Sequence, residues 1–199
     1  RIPYLVVFLV FALSYIAGRV LERVSICAAS NYLIWIGSFW LGMMVYLFFG
    51  VLLCDILRLV NWLSGVVAVP SDLYARLRQT AALAVALIAM ITVAAGYYNT
   101  LNPRINRVVV EVPKDAGGLK ALDIALVTDI HLGTIIKNSR LQEMVDMVNV
   151  LRPDIVLLAG DIVDEDLAPV IQNNLGELLC TIRSRYGTFA VTGNHEYIG

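Results

Sequence analysis

Charge is scarce in this chain. Only 16% of its 199 residues are Asp, Glu, Lys or Arg, 59% are hydrophobic, and the mean hydropathy is +0.75. That is too apolar for an ordinary soluble domain and excludes disorder. There is no basic surplus: 15 Lys and Arg against 16 Asp and Glu leave a net charge of −1, so no nucleic-acid partner is indicated. Cysteine is nearly absent. Cys27, Cys54 and Cys180 form no CxxC pair and read as small buried hydrophobes rather than as a disulfide or a thiol site. The apolar stretches hold no cluster of acids or histidines, so neither a proton or ion pathway nor a transporter is signalled. Gly42 and Gly50 could allow close helix packing, but no GxxxG pairing accompanies them.

What is present divides in two. Residues 1–98 carry 6 basic and 3 acidic residues, and 99–199 carry 9 and 13. The first part has three stretches suited to crossing a bilayer, about 2–18, 32–54 and 81–98. A signal peptide would explain one of them and not three. Trp35, Trp40, Tyr97 and Tyr98 lie toward segment ends, where amphipathic rings favour the interface. Residues 56–69, interrupted by Arg58 and Asn61, suit an amphipathic helix lying in the interface. The expectation is a multi-pass anchor in the cell membrane, with the lipid bilayer as partner. Arg1, Arg58, Arg76 and Arg78 fall on one side, and Arg19, Arg23, Arg104, Arg107 and Lys114 on the other. Positive-inside counting leans slightly toward a cytoplasmic second half.

After a polar linker over 99–107, strand and helix patterns alternate through 108–199. Val108–Val112 is β-branched and reads as a strand, and 114–118 as a turn. Residues 123–128, 155–159 and 188–192 read as further strands, the first two as buried runs. Ser139 opens a helix, with Gln142 completing a capping box, and Leu141, Met144, Val145, Val148 and Leu151 form its apolar stripe before Pro153. A second helix starts near Pro169, shows Ile171, Leu175, Leu178, Leu179 and Ile182, and ends at Gly187. The order β-β-α-β-α-β argues for an α/β layer with a largely parallel sheet.

Polar groups collect where three of those strands end. Asp129-Ile130-His131 follows the first, Gly160-Asp161-Ile162-Val163-Asp164 the next, and Gly193-Asn194-His195-Glu196 the last. The intervals from Asp129 to Asp161 and from Asp161 to Asn194 are 32 and 33 residues, each about one strand–helix–strand unit. Right-handed crossovers bring all three ends to one sheet edge, where open α/β folds bind ligands. The chain's only two histidines fall there. Carboxylate, imidazole and amide together suit a divalent first-row metal. Alternation puts Asp129 and His131 on one side and turns Ile130 away. Gly160 and Gly193 allow sharp turns after buried strands. Glu196 reads as a structural residue or a partner standing behind the ligands, Glu165-Asp166 as a solvated turn, and Asp123, Asp146 and Asp154 as surface or cap residues.

The ordered set D-x-H, GD-x-x-D and GNH-[DE] resembles the calcineurin-like metallophosphoesterases over roughly 108–199, and with the apolar half it looks like their bacterial membrane-anchored branch. The resemblance implies a multi-domain protein: a transmembrane helical bundle, then an α/β metallophosphoesterase domain of αββα-sandwich type, of which this is the N-terminal part. It implies two divalent metal ions (Mn, Fe or Zn). Asp129 and His131 would bind the first, Asp161 would bridge both, and Asn194 would bind the second through its amide oxygen. His195 would sit beside the scissile phosphate as general acid or electrostatic clamp, oriented by Asp164. Such a metal pair acidifies water for in-line attack on phosphorus and neutralises phosphate oxygens. The family pattern continues with a lone His and a GHxH motif, expected beyond Gly199. The chain starts at Arg1 rather than Met and stops directly after a dense motif, so it reads as a piece of a longer protein. The Ser/Thr phosphatases follow GDxxD with Arg-Gly, unlike Glu165-Asp166 here. The expected activity is a membrane-anchored phosphoester hydrolase, and the anchor points to a lipid-linked or nucleotide-activated substrate. The alternative is a non-catalytic membrane module whose phosphoesterase-like domain binds metal or a partner.

Overall fold

The computed structural model describes residues 2–68, 70–114, 117–164 and 166–198, with the side chains of Ser71 and Asp72 set aside. The readings that fall on Arg1, Val69, Asp115, Ala116, Glu165 and Gly199 lie outside the described residues. The chain divides into two compact units between Asn102 and Pro103, within the segment read as a linker.

The first unit is three helices, α1 (Ile2–Val24), α2 (Ala28–Ser64) and α3 (Ser71–Thr100), each long and apolar enough to cross a membrane. Their apolar side chains stay largely exposed, as suits a lipid solvent. The 37 residues of α2 extend about 55 Å, well beyond a hydrocarbon core of about 30 Å. Residues 56–64, read as a separate interfacial helix, simply continue α2. Asn61 does not interrupt the helix but ends it. Its carbonyl accepts the N–H of Gly65, the left-handed C-cap at φ 62°, and its side chain bonds both backbone groups of Val67 at 3.0 Å.

Helix α1 packs closely on α2. A Cβ on Gly37 would overlap the Tyr15 backbone, and one on Gly18 would lie 2.7 Å from the Ile34 nitrogen. Gly50 meets Val85 of α3, whereas Gly42 faces open space and packs against nothing. Trp40 is held by Phe8 and Phe11, and Trp35 by Phe39 and Tyr97. Glu22, with its side chain only 2% exposed, is paired with Arg19 at 2.8 Å.

The second unit has a parallel sheet, β1 (Ile124–Val127), β2 (Ile155–Ala159) and β3 (Thr188–Val191), in the order β1-β2-β3. Helix α4 (Asn138–Leu151) covers one face. Its Val148 packs with Ala125, Val156 and Leu158, and its Leu141 and Val145 pack with Leu132, Val170 and Leu175. On the other face Ile124, Leu126, Phe189 and Val191 are exposed.

Several expectations need correction. Val108–Val112 forms no strand, because a strand exists only by pairing and these residues have no ladder partner among the described residues. Lys137, in extended conformation, takes the N-cap of α4, so Ser139 lies inside the helix and caps nothing; Gln142 instead donates to Asp146. The single helix expected from Pro169 is two short ones, α5 (Ala168–Gln172) and α6 (Leu175–Leu179). Between them the Asn173 side chain bonds the Pro169 carbonyl at 2.7 Å, and Asn174 turns left-handed at φ 52°. The break rotates the buried stripe, so Val170 points inward and Ile171 outward. The three cysteines are free, and Cys180 is exposed rather than buried.

Candidate metal centre

The strand register sets the site. Val127 pairs with Leu158, and Ala159 with Val191, so the three strands end level with one another. The chain after β1 then runs alongside the chain after β2. Asp129 donates its N–H to the Gly160 carbonyl (3.3 Å), His131 to Asp161 (2.9 Å) and Leu132 to Ile162 (2.8 Å), and Asp164 returns one to Leu132 (2.9 Å). Leu132 is fully buried and Ile130 packs on both core clusters, which anchors the Asp129–His131 loop from below.

Asp129, His131 and Asp161 all lie in the left-handed region, at φ 55°, 52° and 49°. Residues with a Cβ pay about 1–2 kcal/mol for that conformation, Asp less than most. Strain of this kind persists only where the surroundings over-determine it, and it clusters at functional sites. The side chains thus reach the site through this turn and not through the strand alternation expected of Asp129 and His131, because β1 ends at Val127. Gly160 is left-handed too, at φ 84°, and a Cβ on Gly193 would overlap the Asp161 carboxylate.

Two overlapping groups result. Asp129, His131 and Asp161 form one, and His131, Asp164 and His195 the other; within each, the available donor atoms lie within 4.8 Å of one another. Donors about 2.1 Å from a shared ion stand about 3–3.5 Å apart, so small side-chain rotations would close either set. His131 lies between the groups, with Nε2 3.9 Å from Asp129 Oδ1 and Nδ1 3.8 Å from Asp164 Oδ1. The same Asp164 oxygen is 3.4 Å from His195 Nδ1, a buried atom without a hydrogen bond, and the two imidazoles meet edge to face at 4.5 Å. This donor set fits a divalent cation. Asn194 is exposed, and its two neighbours are tied down: the His195 N–H donates to Asp161 Oδ1 (3.0 Å) and the Gly193 N–H to Glu196 Oε2 (2.6 Å).

Glu196 accepts four backbone N–H groups. Ile162 (2.6 Å) and Val163 (2.9 Å) donate to Oε1, and Gly193 (2.6 Å) and Asp161 (3.1 Å) to Oε2. Burial alone would push this carboxyl up, but the amides of Val163, Gly193, Ile162 and Asp161 outweigh it and hold it at about 2. Thr128, which the sequence did not single out, donates to Asp129 Oδ2 at 2.6 Å. A lone threonine before an aspartate carries no pattern that would have revealed it.

Donors that could hold a metal gather at the carboxyl edge of a parallel α/β sheet, where open sheets of this kind bind their ligands. Residues 122–199 match the calcineurin-like phosphoesterase family, and this part of the chain belongs to it. The chain is 34% identical over 140 residues to a transmembrane protein with metallophosphoesterase domain from Bos taurus, covering 70% of this chain and 31% of that protein. An uncharacterized metallophosphoesterase from Campylobacter jejuni is 34% identical over 152 residues, covering 76% and 39%. A UDP-2,3-diacylglucosamine pyrophosphatase from Chlamydia trachomatis is 30% identical over 102 residues, covering 50% and 31%. The chain therefore spans well under half the length of these relatives. No solved structure matches it.

Proposed function

We propose that the protein is a membrane-anchored, metal-dependent phosphoester hydrolase. Asp129 and His131 would hold one divalent ion (Mn, Fe or Zn), Asp161 would bridge to a second, and Asn194 would complete the second through its amide oxygen. Bound there, such ions supply acidified water and neutralise charge on the phosphate. The chain's own groups do the rest. His195 stands beside the phosphate and carries a proton toward the leaving oxygen on Nε2, because its Nδ1 faces Asp164. Asp164, 3.4 Å from that Nδ1, would orient the ring. The single observation that carries this reading is the meeting of Asp129, His131, Asp161, Asp164 and His195 in two groups that share one imidazole.

The substrate class we infer is a lipid-linked or nucleotide-activated phosphate or pyrophosphate at the bilayer surface. Three apolar helices and the relative named for a diacylated UDP-sugar support it. We assign the domain to the cytoplasmic side on the distribution of Arg and Lys. Protease protection in sealed vesicles checks that assignment, and cleavage only from the opposite side would reverse it.

The test of activity is metal-dependent hydrolysis of a chromogenic phosphodiester by the full-length protein in detergent. Asp161→Asn and His195→Ala should each lower kcat at least about 100-fold, within the range for losing an ion or an acid–base group. Wild-type rates surviving in both purified variants would defeat the assignment.

A further inference from the structure

Beyond the ligands and the acid, the β2–β3 side of the site is held in an unusual way. On the β1–β2 side, backbone hydrogen bonds continue past the strands from Asp129 to Asp164. On the other side the ladder stops at Ala159 and Val191, and side-chain carboxylates take over the tie. Glu196 supplies most of it: one carboxylate joins three successive amides of the Asp161 loop to the amide of Gly193.

We propose that Glu196 is a positioning residue that sets the separation between the Asp161 and Asn194 ligands, and so the metal affinity of the site. The inference rests on the reading of Asp161 and Asn194 as ligands given above. Three observations carry it. A carboxylate has about four acceptor positions, and here all four are taken, so Glu196 has none left for an ion. Its donors include Asp161 itself and the residue just before Asn194. Finally, Gly193 leaves no room for a Cβ against Asp161, so the two loops meet at a distance that a small change in the clamp would alter. The groups facing Glu196 are all amide donors, which makes a carboxylate necessary. A glutamine would turn an NH2 toward two N–H groups and leave them unpaired.

The experiment is Mn²⁺ titration of the full-length protein in detergent, read by electron paramagnetic resonance, on wild type, Glu196→Gln and Glu196→Asp. Partners standing behind metal ligands typically change affinity 10–100-fold, so Glu196→Gln should raise the apparent Kd by about that factor with an unchanged far-UV circular dichroism spectrum. Glu196→Asp keeps four acceptor positions but is one methylene shorter, and it should fall between the two. Excess Mn²⁺ should return kcat of Glu196→Gln on the chromogenic phosphodiester to within a few-fold of wild type, which a purely structural defect would not allow. Wild-type Mn²⁺ affinity in a folded variant overturns the proposal, as does a kcat that excess metal fails to restore. If Glu196→Gln does not fold, Glu196→Asp decides by the same criteria. Wild-type protein that binds no Mn²⁺ overturns the ligand reading itself, whereas wild-type protein that binds Mn²⁺ without hydrolysing the diester overturns only the activity.

Discussion

At the scale of single residues, the close approach of Gly193 to Asp161 makes the sharpest prediction. Gly193→Ala forces a methyl group into the Asp161 carboxylate. Relief requires the loops to part, and overpacking of this kind destabilises by about 1–3 kcal/mol. The thermal midpoint of the metal-free protein should fall, and Mn²⁺ affinity with it. Glu196 gives a prediction in pH. Its carboxyl sits at about 2 in the folded protein against an ordinary 4.5. A depressed value means that its stabilisation is fully present above about 4.5 and is lost as the pH falls from there toward 2. Acid melts of the metal-free protein should show this loss, and Glu196→Gln should remove the corresponding part of the slope. The side chains that gather here, Asp129, His131, Asp161, Asp164 and His195, could be located in the sequence, since each motif follows an apolar run. The left-handed backbone of Asp129, His131 and Asp161 could not. It comes from pairing between two loops some thirty residues apart, which no local pattern encodes.

At the scale of elements, apolar runs located the sheet. The expected 123–128, 155–159 and 188–192 differ from β1, β2 and β3 by a residue or less at each end. Helical spacing likewise placed Leu141, Val145 and Val148 on the buried side of α4. Leu141→Ala should lower domain stability by about 2–5 kcal/mol, measured by chemical denaturation, because a fully buried leucine leaves a cavity. Sequence reading failed where side chains compete with helix hydrogen bonds. The Asn173-Asn174 pair looks like two polar positions on one helix, yet it divides that helix in two. It failed also at Val108–Val112, where β-branched residues signal a strand but pairing decides whether one forms. In the apolar half, composition located the helices and Gly50 does meet Val85, but Gly42 packs against nothing, and the close contacts of Gly18 and Gly37 were not singled out.

At the scale of the whole molecule, a bound cation would tie together loops that the chain separates by 32 and 33 residues. An ion that binds only the folded domain stabilises it by about 2.7 kcal/mol at one hundred times its Kd. Adding Mn²⁺ to protein stripped with a chelator should therefore raise the domain's thermal midpoint. The effect should vanish in Asp161→Asn. An equal shift in that variant would mean that the ion binds elsewhere.

The left-handed turns at Asp129 and Asp161 have one more consequence. Asparagine is as much at ease in that backbone as aspartate and nearly the same size, so exchanging both removes charge without disturbing shape. A doubly exchanged protein should therefore keep its fold while losing its hold on Mn²⁺, which separates the electrical part of the site from its architecture.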